Sequence, residues 1–152
     1  MSDSARNIIS DITIDENGDW FSAKTPIINV SILSFFKKNL FYDVNGIYIY
    51  NEFGSLAEKA YIRVHGPILK VTGQSDEQFI LDNDERVDIA KKELAMDSNG
   101  RIYIVVDRLK AWALFTREAM TQLGDRLSNE NNTYYWNKKP IRIIKEIPWF
   151  FG

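Results

Sequence analysis

The sequence contains no cysteine and only one histidine among its 152 residues. These counts exclude a disulfide framework, a thiolate zinc or iron–sulfur site, a cysteine nucleophile and any metal site that needs two imidazoles. The 19 basic and 21 acidic residues leave a net charge of −2, so no overall field draws the chain towards nucleic acid or anionic lipid.

Long apolar runs are missing as well. The longest, Ile27–Phe36, is interrupted by polar residues and is shorter than the ~20 residues that a membrane-spanning helix needs. The polar first residues lack the apolar core of a secretion signal. The sequence therefore predicts a cytoplasmic protein with no membrane partner.

Three copies of an Asp-x-Asn-Gly motif begin at Asp15, Asp43 and Asp97. Asn-Gly accepts the positive φ angles of tight turns, and each copy lies beside residues that favour strands. We predict turns rather than calcium loops, because the glycine register places no acidic residue at the first ligand position. The first turn is predicted to join residues 11–14 and 19–21 in a hairpin.

Two segments have apolar residues at helical spacing. The first is predicted to begin after Asn29 as its N-cap and to bury one side. The second is predicted over residues 107–123, capped by Asp107 and kinked near Thr116, and packs on the sheet. Leu109, Trp112 and Phe115 form its apolar stripe.

Short alternating runs separated by turn residues fill residues 60–89 and predict a curled antiparallel sheet. The fold class is therefore α+β. We predict a hairpin-plus-helix sub-domain over residues 1–45 and the curled sheet with its late helix over 46–127. A polar linker and an aromatic strand or tail follow over 128–152.

The last 19 residues hold six of the twenty aromatic residues. A terminus this apolar must dock either on its own sheet or on a second subunit, so a homodimer through this segment stays open. Tyr134, Trp136 and Trp149 are candidate binding residues here. Because lysine and arginine are interleaved with Tyr134 and Trp136, a single-stranded nucleic-acid binder is one alternative function, although the net charge disfavours it.

Catalysis has one candidate residue, since only His65 has an ordinary pKa near neutrality. A small hydrolase or isomerase using His65 with a carboxylate is therefore the second alternative. The sequence contains no nucleophile elbow, phosphate-binding loop, dinucleotide fingerprint or zinc-protease motif. We predict no catalytic residue, cofactor or metal site, and favour a non-catalytic module that binds an unknown small molecule or peptide.

Several motifs resemble a bacterial family known as domain of unknown function 1285 (DUF1285). They include Asp15–Phe21, the Thr25-Pro-Ile27 step, the Leu33-x-x-Phe36 pattern and Tyr103–Ala111. The resemblance covers residues 8–127. It implies a compact α+β protein of two small sub-domains, with a sheet and late helix similar to pleckstrin-homology-like folds. It also implies a binding or signalling role without enzymatic activity.

The chain departs from the family pattern at two places. Members resemble one another in a Thr-Pro-x-Glu-Lys step, whereas this chain has the longer, proline-free run Tyr50–Lys59. Residues 128–152 have no counterpart in the resemblance. Glu58 and Lys59 match the end of the family step, and so the resemblance makes them candidate binding residues. His65 is a further candidate binding residue because of its own chemistry.

Overall fold

The computed structural model describes residues 5–144, except the side chain of Asp125. The first half of the chain contains β1 (Arg6–Ile14), β2 (Trp20–Ser22), β3 (Thr25–Pro26), α1 (Val30–Lys38), β4 (Leu40–Asp43), β5 (Gly46–Phe53), β6 (Leu56–Val64) and β7 (Leu69–Ser75). The second half contains β8 (Gln78–Leu81), β9 (Arg86–Asp88), β10 (Ala95–Met96), β11 (Ile102–Val106), β12 (Ala111–Phe115), α2 (Arg117–Leu123), β13 (Leu127–Glu130), β14 (Thr133–Trp136), β15 (Lys139–Pro140) and β16 (Arg142–Ile143). Between residues 5 and 144, neither helix is long and apolar enough to cross a membrane.

The chain divides into two compact units. Among the described residues, the first unit comprises 5–68 and 106–111, and the second comprises 69–105 and 112–144. The α+β class is confirmed, with strands greatly outnumbering helices. The sub-domain boundaries expected at residues 45 and 127 stay a prediction.

The first unit is built on a six-stranded sheet with the order β3-β2-β1-β6-β5-β4. The hairpin predicted from residues 11–14 and 19–21 is confirmed by antiparallel pairing of β1 with β2. This sheet is mixed, because β1 and β6 run parallel, so β6 departs from the curled antiparallel sheet predicted over residues 46–127. Parallel neighbours need a long connection. Here that connection runs through β2, β3, α1 and the β4–β5 hairpin before β6 returns beside β1.

Helix α1 packs on one face of this sheet. The Asn29 side chain accepts a hydrogen bond from the Ile32 N–H, which confirms the predicted N-cap. The Phe36 ring stacks on Trp20 with ring centroids 6.2 Å apart. The inner side of the helix is only half-buried, at Leu33 and Phe36. Helix α1 therefore covers part of this face of the sheet.

The second unit contains a seven-stranded sheet with the order β16-β10-β11-β12-β7-β8-β9 and a three-stranded sheet of β13, β14 and β15. Its larger sheet is also mixed, because β12 pairs parallel with β7. The predicted helix over 107–123 is wrong in its first half. Lys110 turns the chain with a φ of +53° after a short 3-10 turn, and residues 111–115 form strand β12.

The error at residues 111–115 has a physical cause. A strand that is buried on both faces of a sheet has consecutive apolar residues in its sequence. Some of these residues are necessarily spaced three or four apart, so the same segment also matches a helical pattern. Leu109, Trp112 and Phe115 are buried, as the apolar stripe required, but Ala111 and Ala113 between them are buried as well. Helix α2 starts only at the predicted kink, where the Thr116 side chain accepts from the Ala119 N–H.

The three Asp-x-Asn-Gly motifs form the predicted turns. In each, the aspartate carboxylate accepts the backbone N–H two residues further on, at 2.9–3.0 Å from nitrogen to oxygen. Their glycines have φ values of +81°, +120° and +82°. The turns close the β1–β2, β4–β5 and β10–β11 connections, and they fix the register on which the candidate site depends.

Candidate functional site

Glu58 and Lys59, which the resemblance made candidates, are neighbours on β6. Successive strand residues point to opposite faces, so the two side chains cannot serve one site. Glu58 accepts a hydrogen bond from Arg6 Nη2 at 2.6 Å and lines a small cavity of about 280 Å³ with Phe53 and Leu56. Glu58 therefore ties β6 to β1, while Lys59 belongs to a different cluster.

Lys59 lies in a polar cluster on the sheet face opposite α1. Its Nζ is 3.2 Å from Asp43 Oδ2, the oxygen that also accepts the Tyr61 hydroxyl hydrogen bond at 2.6 Å. The Lys59 ammonium also lies 5.1 Å from the centroid of the Tyr48 ring. The candidate lysine is thus held by its neighbours within the first unit.

The cluster changes the acidity of its members. Burial alone would raise the pKa of Asp43, but hydrogen bonds from Tyr61, the Asn45 N–H and Lys59 outweigh it and hold the pKa below the ordinary value. The pKa of Lys59 is raised, chiefly by its hydrogen bond to Asp43. Burial and the same carboxylate raise the pKa of Tyr61. Asp43 and Lys59 are therefore a charged pair at neutral pH.

Replacing Asp43 with asparagine is expected to reduce the free energy of unfolding by about 1 kcal/mol at pH 7, since the pair is partly exposed. The folded-state pKa is lowered, so this stabilisation is present above the unfolded pKa of about 3.9 and is lost as pH falls through the folded value. Urea denaturation of both proteins at pH 7, 5 and 3 measures the difference, which should shrink at the lowest pH. A difference that grows on acidification would contradict the charged pair.

His65 is exposed just after β6. Its backbone N–H donates to the Ile14 carbonyl at 2.9 Å, and its ring has no hydrogen-bond or ion-pair partner among residues 5–144. General-base catalysis needs an imidazole that is oriented beside its partner group. No carboxylate between residues 5 and 144 pairs with the His65 ring, and the hydrolase or isomerase alternative stays a prediction.

Of the three aromatic candidates, Tyr134 and Trp136 stand on the same strand but differ in exposure. Tyr134 is 40% exposed, whereas Trp136 is 2% exposed and packs against Phe79 with ring centroids 5.7 Å apart. Trp136 lines a cavity of about 430 Å³, but a ring so buried presents no face on which a base could stack. Trp149 lies outside the described residues. This arrangement does not favour the nucleic-acid alternative.

A groove on the first unit, which we name the Arg63 groove, is lined by residues of three neighbouring strands. Its volume is about 780 Å³. Thr13 on β1 is the register partner of both Phe21 on β2 and Arg63 on β6, so three adjacent strands contribute to it. Its lining residues are Asp11, Thr13, Phe21, Ala23, Lys24, Thr25 and Arg63.

Two cationic side chains that line the Arg63 groove form no ion pair with another described residue. Arg63 and Lys24 are exposed, and neither has an ion-pair or hydrogen-bond partner for its side chain among residues 5–144. The one acid, Asp11, accepts a hydrogen bond from the Ser22 hydroxyl at 3.1 Å. An arginine that can pair bidentately, in a groove that also contains an apolar ring, suits a ligand with a carboxylate or phosphate and an apolar part.

Sequence reasoning missed the Arg63 groove. Arg63 stands in an alternating run and has the appearance of an ordinary exposed strand residue. Only the parallel pairing of β6 with β1 brings Arg63 beside Thr13, and no sequence motif near either residue indicates that pairing. The turn between β2 and β3 places Lys24 with positive φ angles at Ala23 and Lys24, a position where glycine or asparagine is usual.

With this geometry established, comparison with known proteins shows what the fold is similar to. A DUF1285 family protein from Silicibacter pomeroyi DSS-3 matches with a TM-score of 0.57 and 20% identity, over 91% of this chain and 81% of its own. A DUF1285 family protein from Shewanella baltica OS155 matches with a TM-score of 0.54 and 14% identity, over 77% of this chain and 92% of its own. No family model and no curated protein matches the chain.

The chain therefore shares the fold of DUF1285 family proteins, and the resemblance is confirmed at the level of fold. The first match covers a larger share of the chain than residues 1–127 contain. The expectation that residues 128–152 have no counterpart is consequently too strict.

Proposed function

We propose that this protein is a non-catalytic binding module whose ligand is an organic anion with an apolar portion, held in the Arg63 groove. The observation that carries the proposal is the pair of cations, Arg63 and Lys24, which have no ion-pair partner among residues 5–144 and line the same groove as the Phe21 ring. Small-molecule sites are mostly apolar clefts with a few convergent polar groups. A carboxylate or phosphate would meet the cations, and its apolar part would cover Phe21.

The side chains that line this groove are better suited to binding a ligand than to catalysing a reaction. Its lining holds a threonine pair, one acid and two cations, but no histidine beside a nucleophile. The exposed His65 is outside the lining residues. A regulatory or signalling role for such a module, and the pleckstrin-homology-like relationship of its fold, are parts of the proposal that rest on the family resemblance.

Changing Arg63 to glutamine is expected to weaken binding of 3-phenylpropionate about 10-fold, because a charge-assisted hydrogen bond is lost from the groove. This probe carries a carboxylate and a phenyl ring. Titration followed by backbone amide shifts in NMR measures the dissociation constant and shows whether Thr13, Phe21 and Lys24 are affected.

Two controls make the test specific. Arg117, an equally exposed arginine on α2, is changed to glutamine and should leave the affinity unchanged. The neutral amide 3-phenylpropanamide should bind wild type about as weakly as the acid binds the Arg63→Gln variant. Equal affinities of acid and amide for wild type would contradict recognition of the anion.

A further inference from the structure

The six-stranded sheet of the first unit has a segment of open edge beside the Arg63 groove. Strand β1 pairs with β6 from Arg6 to Ile9, but it pairs with β2 only from Ile12 onward. Along Arg6–Ser10, no strand within residues 5–144 lies on the side away from β6. Alternate backbone N–H and C=O groups of this segment are therefore directed outward without a strand partner.

The other two edges of this sheet are blocked. Strand β3 is two residues long and contains Pro26, which cannot donate a ladder hydrogen bond. Beside β4, Arg108 Nη1 donates to the Leu40 carbonyl oxygen at 2.6 Å, so an edge acceptor is already occupied. Short strands, proline and covering side chains are the usual protection of edges against further pairing.

The Arg6–Ser10 edge lacks this protection. From Asn7 to Ser10 the segment contains neither proline nor a charged residue, and the Ile9 side chain is 84% exposed. An exposed apolar residue on an open edge favours pairing with a β-branched or aromatic residue of an added strand. This is the arrangement by which extended peptides are recognised through main-chain hydrogen bonds.

The open edge leads into the Arg63 groove. The Ala23 N–H donates to the Asp11 carbonyl oxygen at 3.0 Å, which places the β2–β3 turn next to the end of the open segment. Lys24, in the same turn, lines the groove together with Arg63. A strand lying along Arg6–Ser10 in line with β2 therefore has one end next to the Lys24 turn, at the margin of the groove that Arg63 also lines.

We propose that the ligand is an extended peptide of a partner protein that adds as a strand along Arg6–Ser10, parallel to β1, with its C-terminal carboxylate in the Arg63 groove. This inference rests on the proposed function, because it assigns the organic anion to a peptide terminus. The parallel direction follows from charge, since only then does the C-terminus lie at Lys24 and Arg63. Main-chain pairing supplies affinity, and Ile9 selects an apolar neighbour.

The test uses an array of random-sequence hexapeptides, each attached by its N-terminus and carrying a free C-terminal carboxylate, which is incubated with the labelled full chain. The best-retained peptide is then made in solution as the free acid, as the C-terminal amide and as two N-methylated forms. Each N-methylated form is methylated at alternate residues, one form on the even positions and the other on the odd. Affinities are measured for wild type and for the Arg63→Gln variant.

We expect one N-methylated form to lose about 10-fold or more in affinity and the other to lose little, because only alternate N–H groups face β1. The amide should bind about 10-fold more weakly than the acid to wild type, and this preference for the acid should be smaller in Arg63→Gln, where Lys24 alone remains. Absence of any retained peptide, or equal effects of the two methylation patterns, overturns strand addition. If 3-phenylpropionate still binds at Arg63 in that case, the proposed function stands without the peptide. If 3-phenylpropionate fails to bind as well, both are wrong.

Discussion

Gly66→Ala is expected to reduce the free energy of unfolding by about 3 kcal/mol, at the upper end of the effects seen when a well-packed site is overfilled. A Cβ at Gly66 would lie 1.7 Å from the Asp15 carbonyl oxygen and 2.8 Å from the Glu16 Cα. Both atoms belong to the backbone of the first Asp-x-Asn-Gly turn, so no side-chain rotation relieves the clash. The β1–β2 hairpin or the end of β6 would have to move.

Gly124→Ala is the matched control, because the same methyl group would meet nothing within 4 Å there. The backbone at Gly124 has a φ of −47°, which alanine adopts without strain. Alanine is expected to stabilise by about 0.4–1 kcal/mol by restricting the unfolded chain. Urea denaturation measures both variants. Similar free energies for the two variants would contradict the close approach of Gly66 to the turn.

Trp136→Ala is expected to reduce the free energy of unfolding by about 3–5 kcal/mol, as large aromatic truncations in a core do. Trp136 is 2% exposed and packs against Phe79, which in turn contacts the Phe115 ring edge-on at 5.1 Å. The substitution leaves a cavity between the three-stranded sheet and the larger sheet of the second unit.

Two companion variants distinguish packing from other roles of Trp136. Its Nε1 is buried and makes no hydrogen bond to the described part of the chain, so Trp136→Phe should cost much less than Trp136→Ala. Tyr134→Ala, at a residue that is 40% exposed on the same strand, should change stability by less than about 1 kcal/mol. A Trp136→Ala protein as stable as wild type would show that the ring is not part of the core.

Local chemistry was sufficient to predict the turns and helix α1. The Asp-x-Asn-Gly motifs satisfy their own backbone groups through the aspartate side chain, and Asn29 caps α1 within three residues. These turns and this N-cap depend on residues that are close in sequence, and the tertiary fold preserves them. The same reasoning failed at residues 111–115, where burial on both faces of a sheet removes the alternation that identifies an exposed strand.

The candidate site depends on pairings between residues distant in sequence, which explains how little of it was predicted. Lys59 was selected by family resemblance and lies in a real charged cluster, yet its partner Asp43 was assigned only to a turn. Arg63 becomes notable because β1 and β6 run parallel, and no motif indicates that pairing. The absence of ion-pair partners for Arg63 and Lys24 among the described residues could not be predicted either, since a sequence does not show which lysines and arginines form ion pairs.

The side-chain Nε–H resonance of Arg63 in a titration with 3-phenylpropionate tests the central claim most directly. If the organic anion is held in the Arg63 groove, this resonance should shift on binding, together with the amides of Thr13 and Phe21, and should return to its free position when the neutral amide replaces the acid. Binding that shifts residues elsewhere and leaves Arg63 unchanged would contradict the assignment of the groove as the ligand site.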